Sequence, residues 1–130
     1  MIHLFSVVLF ALLPLGFMQT ADDMAIEVTK ALEQGDSKSL ARHFGPNADL
    51  YLPGTEGTFS RSQSEVILRD FFSKNPPASF SVSRQGPSRD GSIYVIGTLK
   101  MKDGSSYRTY YLIKKVSQSF FLHQLQLELL

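Results

Sequence analysis

The 130 residues contain no cysteine and no tryptophan. Without thiols there is no disulfide framework, no lipid-modified cysteine and no thiolate metal site. A small domain of this kind has to rest on its hydrophobic core alone. Charge of one sign is equally scarce: 13 basic against 12 acidic residues leave a net +1, and Lys114-Lys115 is the one adjacent Lys/Arg pair. Nucleic acid is therefore not expected as a partner, because such binding needs a clustered basic face. The histidines and carboxylates show no HxH or HExxH spacing, so no metal site is expected. Nor is there a GxSxG elbow, a P-loop or a dinucleotide fingerprint, and no cofactor is implied. The glycines at Gly54 and Gly57 lie in a hairpin turn and do not precede a phosphate-binding helix.

The one long apolar run is at the start. Leu4 to Leu15 (LFSVVLFALLPL) has the length of a signal-peptide core and is too short to span a bilayer comfortably. Met1 to Ala21 therefore reads as a secretory signal peptide, with one domain over 22–130 and a periplasmic or extracellular destination after cleavage. The leading residues lack Lys and Arg, and cleavage after Ala21 puts Gln19 at minus three, where a small residue is expected. An uncleaved leader, which is the single route to a membrane, and a buried core segment are the alternatives.

The remaining chain falls into helices first and strands later. Asp22 to Gln34 reads as a helix with acidic residues at its start, an apolar face of Ala25, Val28, Ala31 and Leu32 flanked by Ile26, and Gly35 as a left-handed cap. Asp36 caps a second short helix over Ser37 to Phe44, and Gly45-Pro46-Asn47 turns the chain. Ala48 to Leu52 alternates as a strand, Pro53-Gly54 turns, and Gly57 to Phe59 returns. Ser60 and Gln63 form a capping box for a helix whose stripe is Ile67, Leu68, Phe71 and Phe72, ended by Asn75-Pro76-Pro77. From there the apolar period changes from 3.6 to 2, giving four strands with a strong hairpin signal at Lys102-Asp103-Gly104. The expectation is an α+β domain, three helices packed on a curved antiparallel sheet of about four to six strands.

This order of elements resembles the nuclear-transport-factor-2-like fold, the cone-shaped superfamily that includes ketosteroid isomerase and scytalone dehydratase. Gly35 to Phe44 (GDSKSLARHF), Leu52 to Pro77 (LPGTEGTFSRSQSEVILRDFFSKNPP) and Ile96 to Lys115 (IGTLKMKDGSSYRTYYLIKK) are similar to a family of small exported bacterial proteins. That family is found mainly in Bacteroidetes and is known as a domain of unknown function. The resemblance covers nearly the whole of 22–130 and implies the fold and export. It implies no activity.

A site must then be argued from residues. Asp49 lies in an otherwise apolar strand on the same face as Tyr51; facing inward, it would be a carboxylate with a raised pKa beside a phenol, suited to general-base work. Alternation favours the opposite arrangement, with Ala48, Leu50 and Leu52 inward. His123 is placed by the same alternation on an apolar face with Phe121, Leu125 and Leu127, as a core histidine or a general base. His43 ends the second helix, where a cation suits the dipole. Tyr107 and Tyr111 alternate with Arg108 and Tyr110, putting aromatics on both faces of one strand, which points to a dimer contact or a pocket mouth. Two functions follow. One is a non-enzymatic module that binds a small apolar ligand, a peptide or a second copy through Tyr110, Arg108 and His123. The other is an isomerase or dehydratase with Asp49 or His123 as base and Tyr51 or Tyr110 as donor.

Overall fold

A computed structural model describes residues 19–130, and most of the leader expected at residues 1–21 lies outside them. Helix α1 (Ala21–Gln34) begins where the Thr20 hydroxyl accepts the Asp23 N–H at 3.1 Å. It ends at Gly35, whose φ of 63° is the left-handed conformation expected of it. A side chain at Gly35 would be doubly opposed, since a Cβ there would also stand 2.9 Å from Pro77 Cδ. Asp36 caps α2 (Ser37–His43) with 3.0 and 2.6 Å bonds from the Ser39 amide and hydroxyl. The Ser39 bonds, the hydroxyl foremost, hold its carboxyl below the ordinary value.

Strand β1 spans Phe44–Leu52 and β2 spans Thr55–Ser60, joined through Pro53-Gly54. The second helix stops one residue earlier than expected because Phe44 is already extended. The expected turn at Gly45-Pro46-Asn47 becomes an irregular stretch of β1, where Pro46 has no N–H to give to a ladder. Helix α3 (Arg61–Lys74) carries the expected capping box, Gln63 N–H to Ser60 Oγ at 3.2 Å and Ser60 N–H to Gln63 Oε1 at 3.0 Å. Four strands follow: β3 (Pro77–Pro87), β4 (Ile93–Met101), β5 (Ser106–Val116) and β6 (Ser119–Leu129). They lie in one curved sheet of order β2-β1-β6-β5-β4-β3. The meander and the β1–β2 hairpin are antiparallel, and β1 meets β6 in parallel. That parallel contact requires a long crossover, which α3 and three strands of the meander supply.

Helices α1 and α3 cover one face of the sheet, α1 over β3 to β5 and α3 over β1 and β2, and α2 packs against both helices. The buried stripe of α1 is Met24, Ala25, Val28, Ala31 and Leu32. Ile26, expected to flank it, is 69% exposed, because a step of one residue past Ala25 turns it about 100° away from the stripe. On α3, Leu68 and Phe72 are buried, and Phe71 sits edge-on to Phe72 and to Tyr107 at 5.6 and 5.5 Å. Gly97 of β4 admits the Phe80 ring; a Cβ there would lie 2.6 Å from the ring and 2.5 Å from the Ser81 carbonyl oxygen.

Strand β6 departs from simple alternation. Leu112 pairs with Gln124 and Ile113 with Leu122, so His123 is an extra residue that β5 does not match. A bulge of this kind rephases every side chain beyond it. Leu122 and Leu125 both point to the core, whereas His123 and Gln124 both point away. The expected apolar set Phe121-His123-Leu125 is thus corrected to Phe120 and Leu122 before the bulge and Leu125 and Leu127 after it.

Tyr111 joins the layers. Its ring is fully buried, and its hydroxyl donates to the Ala25 carbonyl at 3.0 Å and bonds Thr29 Oγ1 at 2.8 Å, both on α1. Burial pushes this phenol up to about 12, with the Thr29 bond opposing the rise. Replacing Tyr111 by Phe leaves a buried carbonyl and hydroxyl short of a partner, and is expected to cost about 1–3 kcal/mol in urea unfolding. Because the folded pKa is raised, the Tyr111 contribution is complete below pH 10 and is lost as pH rises toward about 12. Wild-type stability should decline over that window and the Tyr111→Phe variant should decline less; equal slopes would contradict this role.

Candidate functional site

The space between helices and sheet, where an enzyme of this architecture would hold its substrate, is occupied. Tyr111, Phe44, Leu50, Leu99, Leu122 and Leu125 meet there with no solvent exposure. The unclaimed surface is the opposite face of the sheet, against which no described helix packs. Two rows of side chains cross this face along the hydrogen-bonded register. Glu56, Tyr51, Gln126, Tyr110, Ile96 and Arg84 form one row over all six strands. Thr58, Asp49, Gln124, Leu112 and Tyr94 form the next.

The proposed catalytic residues fall on this outer face. Asp49 points away from the core, as alternation favours, with Ala48, Leu50 and Leu52 buried behind it. Its Oδ1 accepts the Thr58 hydroxyl at 2.6 Å, and its Oδ2 lies 3.7 Å from His123 Nε2. The bulge is what brings His123 here. A separation of 3.7 Å is too long for a hydrogen bond. The Thr58 hydroxyl gives its proton to the carboxylate and not to the imidazole, so it is not activated as a nucleophile. Asp49 and His123 are 29% and 40% exposed and line none of five surface clefts. They offer a carboxylate and an imidazole without walls to exclude water.

The proposed ligand residues occupy the same face. Tyr110 is half-buried between Gln126 and Ile96, and Arg108 is exposed between Glu128 and Thr98. Burial raises the Tyr110 phenol above its ordinary value, and Tyr94, on the diagonal, adds to the rise. Tyr51 is 37% exposed and forms part of a cleft of about 400 Å³ with Glu56, Gln126 and Glu128, at the end of the sheet beside Pro53-Gly54. Tyr94, Ile96, Leu112 and Gln126 complete the patch and were not singled out in the sequence. Their signal is faint but present: IYVIG at Ile93 to Gly97 is apolar on both faces, more than a sheet with one wet side requires.

Residues 25–128 match the family described as a domain of unknown function, DUF4783. The chain belongs to the DUF4783 family. A DUF4783 protein from Bacteroides ovatus is similar in structure, with 30% identity, 80% of this chain and 93% of that one covered, and a TM-score of 0.73. One from Bacteroides uniformis is similar at 28% identity, 81% and 95% coverage, and a TM-score of 0.74. A nuclear-transport-factor-2-like protein of unknown function from Cytophaga hutchinsonii shares the fold at 13% identity, 85% and 89% coverage, and a TM-score of 0.59. No curated protein matches the sequence. This DUF4783 domain thus has the family and the nuclear-transport-factor-2-like α+β fold that the sequence resemblance implies.

A second polar feature of the DUF4783 chain lies on the helical side. The cleft between α1 and α2, about 570 Å³, is lined by Glu27, Lys30, Arg42 and His43 among others. His43 Nε2 is 3.2 Å from Glu27 Oε2, which also accepts the Gln19 amide at 2.7 Å. His43 does end α2, but burial lowers its pKa from 6.5, Glu27 opposing and Arg42 reinforcing the shift. The neutral imidazole is therefore the form that the fold prefers, and the dipole is not its main partner. With the folded pKa depressed, the His43 contribution is present above pH 6.5 and is lost as pH falls below it. Urea midpoints are expected to drop on acidification through this range, and His43→Gln should flatten that limb; an unchanged limb would show that other groups carry it.

Proposed function

We propose that this DUF4783 protein is a non-enzymatic interaction module that self-associates through the outer face of its sheet. The observation that carries this reading is the anatomy of that face. Its centre is half-buried and largely uncharged (Tyr110, Ile96, Leu112, Tyr94, Gln124 and Gln126), with Asp49 as the one carboxylate in these rows away from the edge strands, while Glu56, Glu128, Arg108, Lys114, Lys100 and Arg84 stand at the margins. Aromatic side chains at the centre and charge at the rim are the arrangement of protein interfaces. Six strands at about 4.8 Å spacing make a face about 24 Å across, of the size that a stable contact uses. The filled interior favours a second copy over a small apolar ligand. An isomerase or dehydratase is not proposed, since its acid–base groups stand on an open surface.

Sedimentation equilibrium of residues 19–130 should show a dimer. Tyr110→Ala should weaken it by roughly 30-fold or more, as for a central aromatic anchor, with thermal melting of the monomer unchanged. A wild-type monomer at high micromolar concentration would overturn the proposal. We further propose that the protein works outside the cytoplasm once its leader is removed. Mass spectrometry of the protein recovered from the periplasm or medium should then find an N-terminus at or close to Asp22; a full-length chain retained with the membrane would favour the uncleaved leader.

A further inference from the structure

The charges of the outer face are sorted by strand. Its acids, Glu56, Asp49 and Glu128, are on β2, β1 and β6. Its bases, Arg108, Lys114, Lys100 and Arg84, are on β5, β4 and β3. The boundary between β6 and β5 is also the midline of the six-stranded sheet. The carboxylates fill one half of the face and the Lys and Arg side chains the other, equal in width, with the His123 imidazole beside Asp49 in the carboxylate half.

This pattern selects one geometry of self-association. When two sheets meet face to face, the two-fold axis can lie along the strands or across them. An axis across the strands sets β2 on β2 and β3 on β3, stacking acid on acid and base on base. An axis along the strands and over the β6–β5 midline sets the acidic half of each copy on the basic half of the other. In the central row it brings Glu56 over Arg84, Tyr51 over Ile96, and Gln126 over Tyr110. In the neighbouring row Glu128 meets Arg108. Every such contact occurs twice, because a two-fold interface is self-complementary.

We propose that the partner of this face is a second copy mated in this way, with the two-fold axis parallel to the strands. The inference rests on the self-association proposed above and adds its geometry. The usual offset of about 30° between stacked sheets loosens the register at the margins and leaves the pairing of halves intact. Complementary halves also suppress the wrong pairing, since turning one copy so that its axis lies across the strands sets like charges together.

Two reversals test this, because Glu56 and Arg84 are about 24 Å apart in one chain, five strand spacings, and cannot compensate each other within it. Glu56→Lys alone and Arg84→Glu alone should each weaken the dimer on the order of tenfold at low salt, since each places like charges together at two symmetric positions. The double variant Glu56→Lys/Arg84→Glu should recover the wild-type dissociation constant. High salt should shrink all of these differences. Circular dichroism and melting of each variant confirm that these surface changes leave the fold intact. Additive weakening in the double variant, or single reversals without effect, would overturn the geometry while a Tyr110→Ala loss of dimer still supported the face. A monomeric wild type would overturn both.

Discussion

One unmatched residue in β6 decides what each face of this sheet displays. Strand alternation is strict, so a single insertion exchanges inside for outside from that point onward. His123 is that insertion, and it lets Leu122 and Leu125 both face the core although three positions separate them. Without it the imidazole would be pressed into the packing and a leucine turned to solvent. With it the core keeps an unbroken leucine lining, and the polar residues His123 and Gln124 pass to the open side beside Asp49.

The other side of the sheet is governed by Tyr111. Its ring fills the space between sheet and helices, and its hydroxyl fastens two residues of α1. A large aromatic at this position both closes the interior and sets the height of the helical layer. Gly97 and Phe80 do comparable work nearer the β3 edge, where a missing side chain on one strand makes room for a ring from the next. Together these contacts turn the helical side into packing and leave the opposite face of the sheet uncovered by any described helix.

Much of this was legible in the sequence because it is local. Ser60 with Gln63, Gly35 and Asp36 each satisfy nearby backbone groups, so short patterns announce them. The alternation of Tyr107, Thr109, Tyr111 and Ile113 against Arg108 and Tyr110 was equally readable. The family and fold were legible in the stretches around Gly35, Leu52 and Ile96. What escaped is non-local. The parallel contact of β1 with β6 joins residues more than seventy positions apart, and nothing near either strand encodes it. The bulge at His123 shows no glycine or proline that would mark it. It exists because Phe120 and Leu122 on one side and Leu125 and Leu127 on the other are all needed inside. The outer patch was partly hidden for the same reason, since Tyr51, Gln126, Tyr110 and Ile96 become neighbours only once the strand order is known.

The two margins of the sheet behave differently from its faces. Strand β3 is framed by Pro77 and Pro87 and loses register between Val82 and Arg84, and β2 is six residues long with a glycine inside it. Short, proline-bounded and irregular edges recruit additional strands poorly. An open sheet that could add strands at its rims would grow without end, as filaments do. Here both rims are blunted, so neither edge offers a flat template to another chain. The irregularity of β3 therefore works against growth by strand addition at that edge.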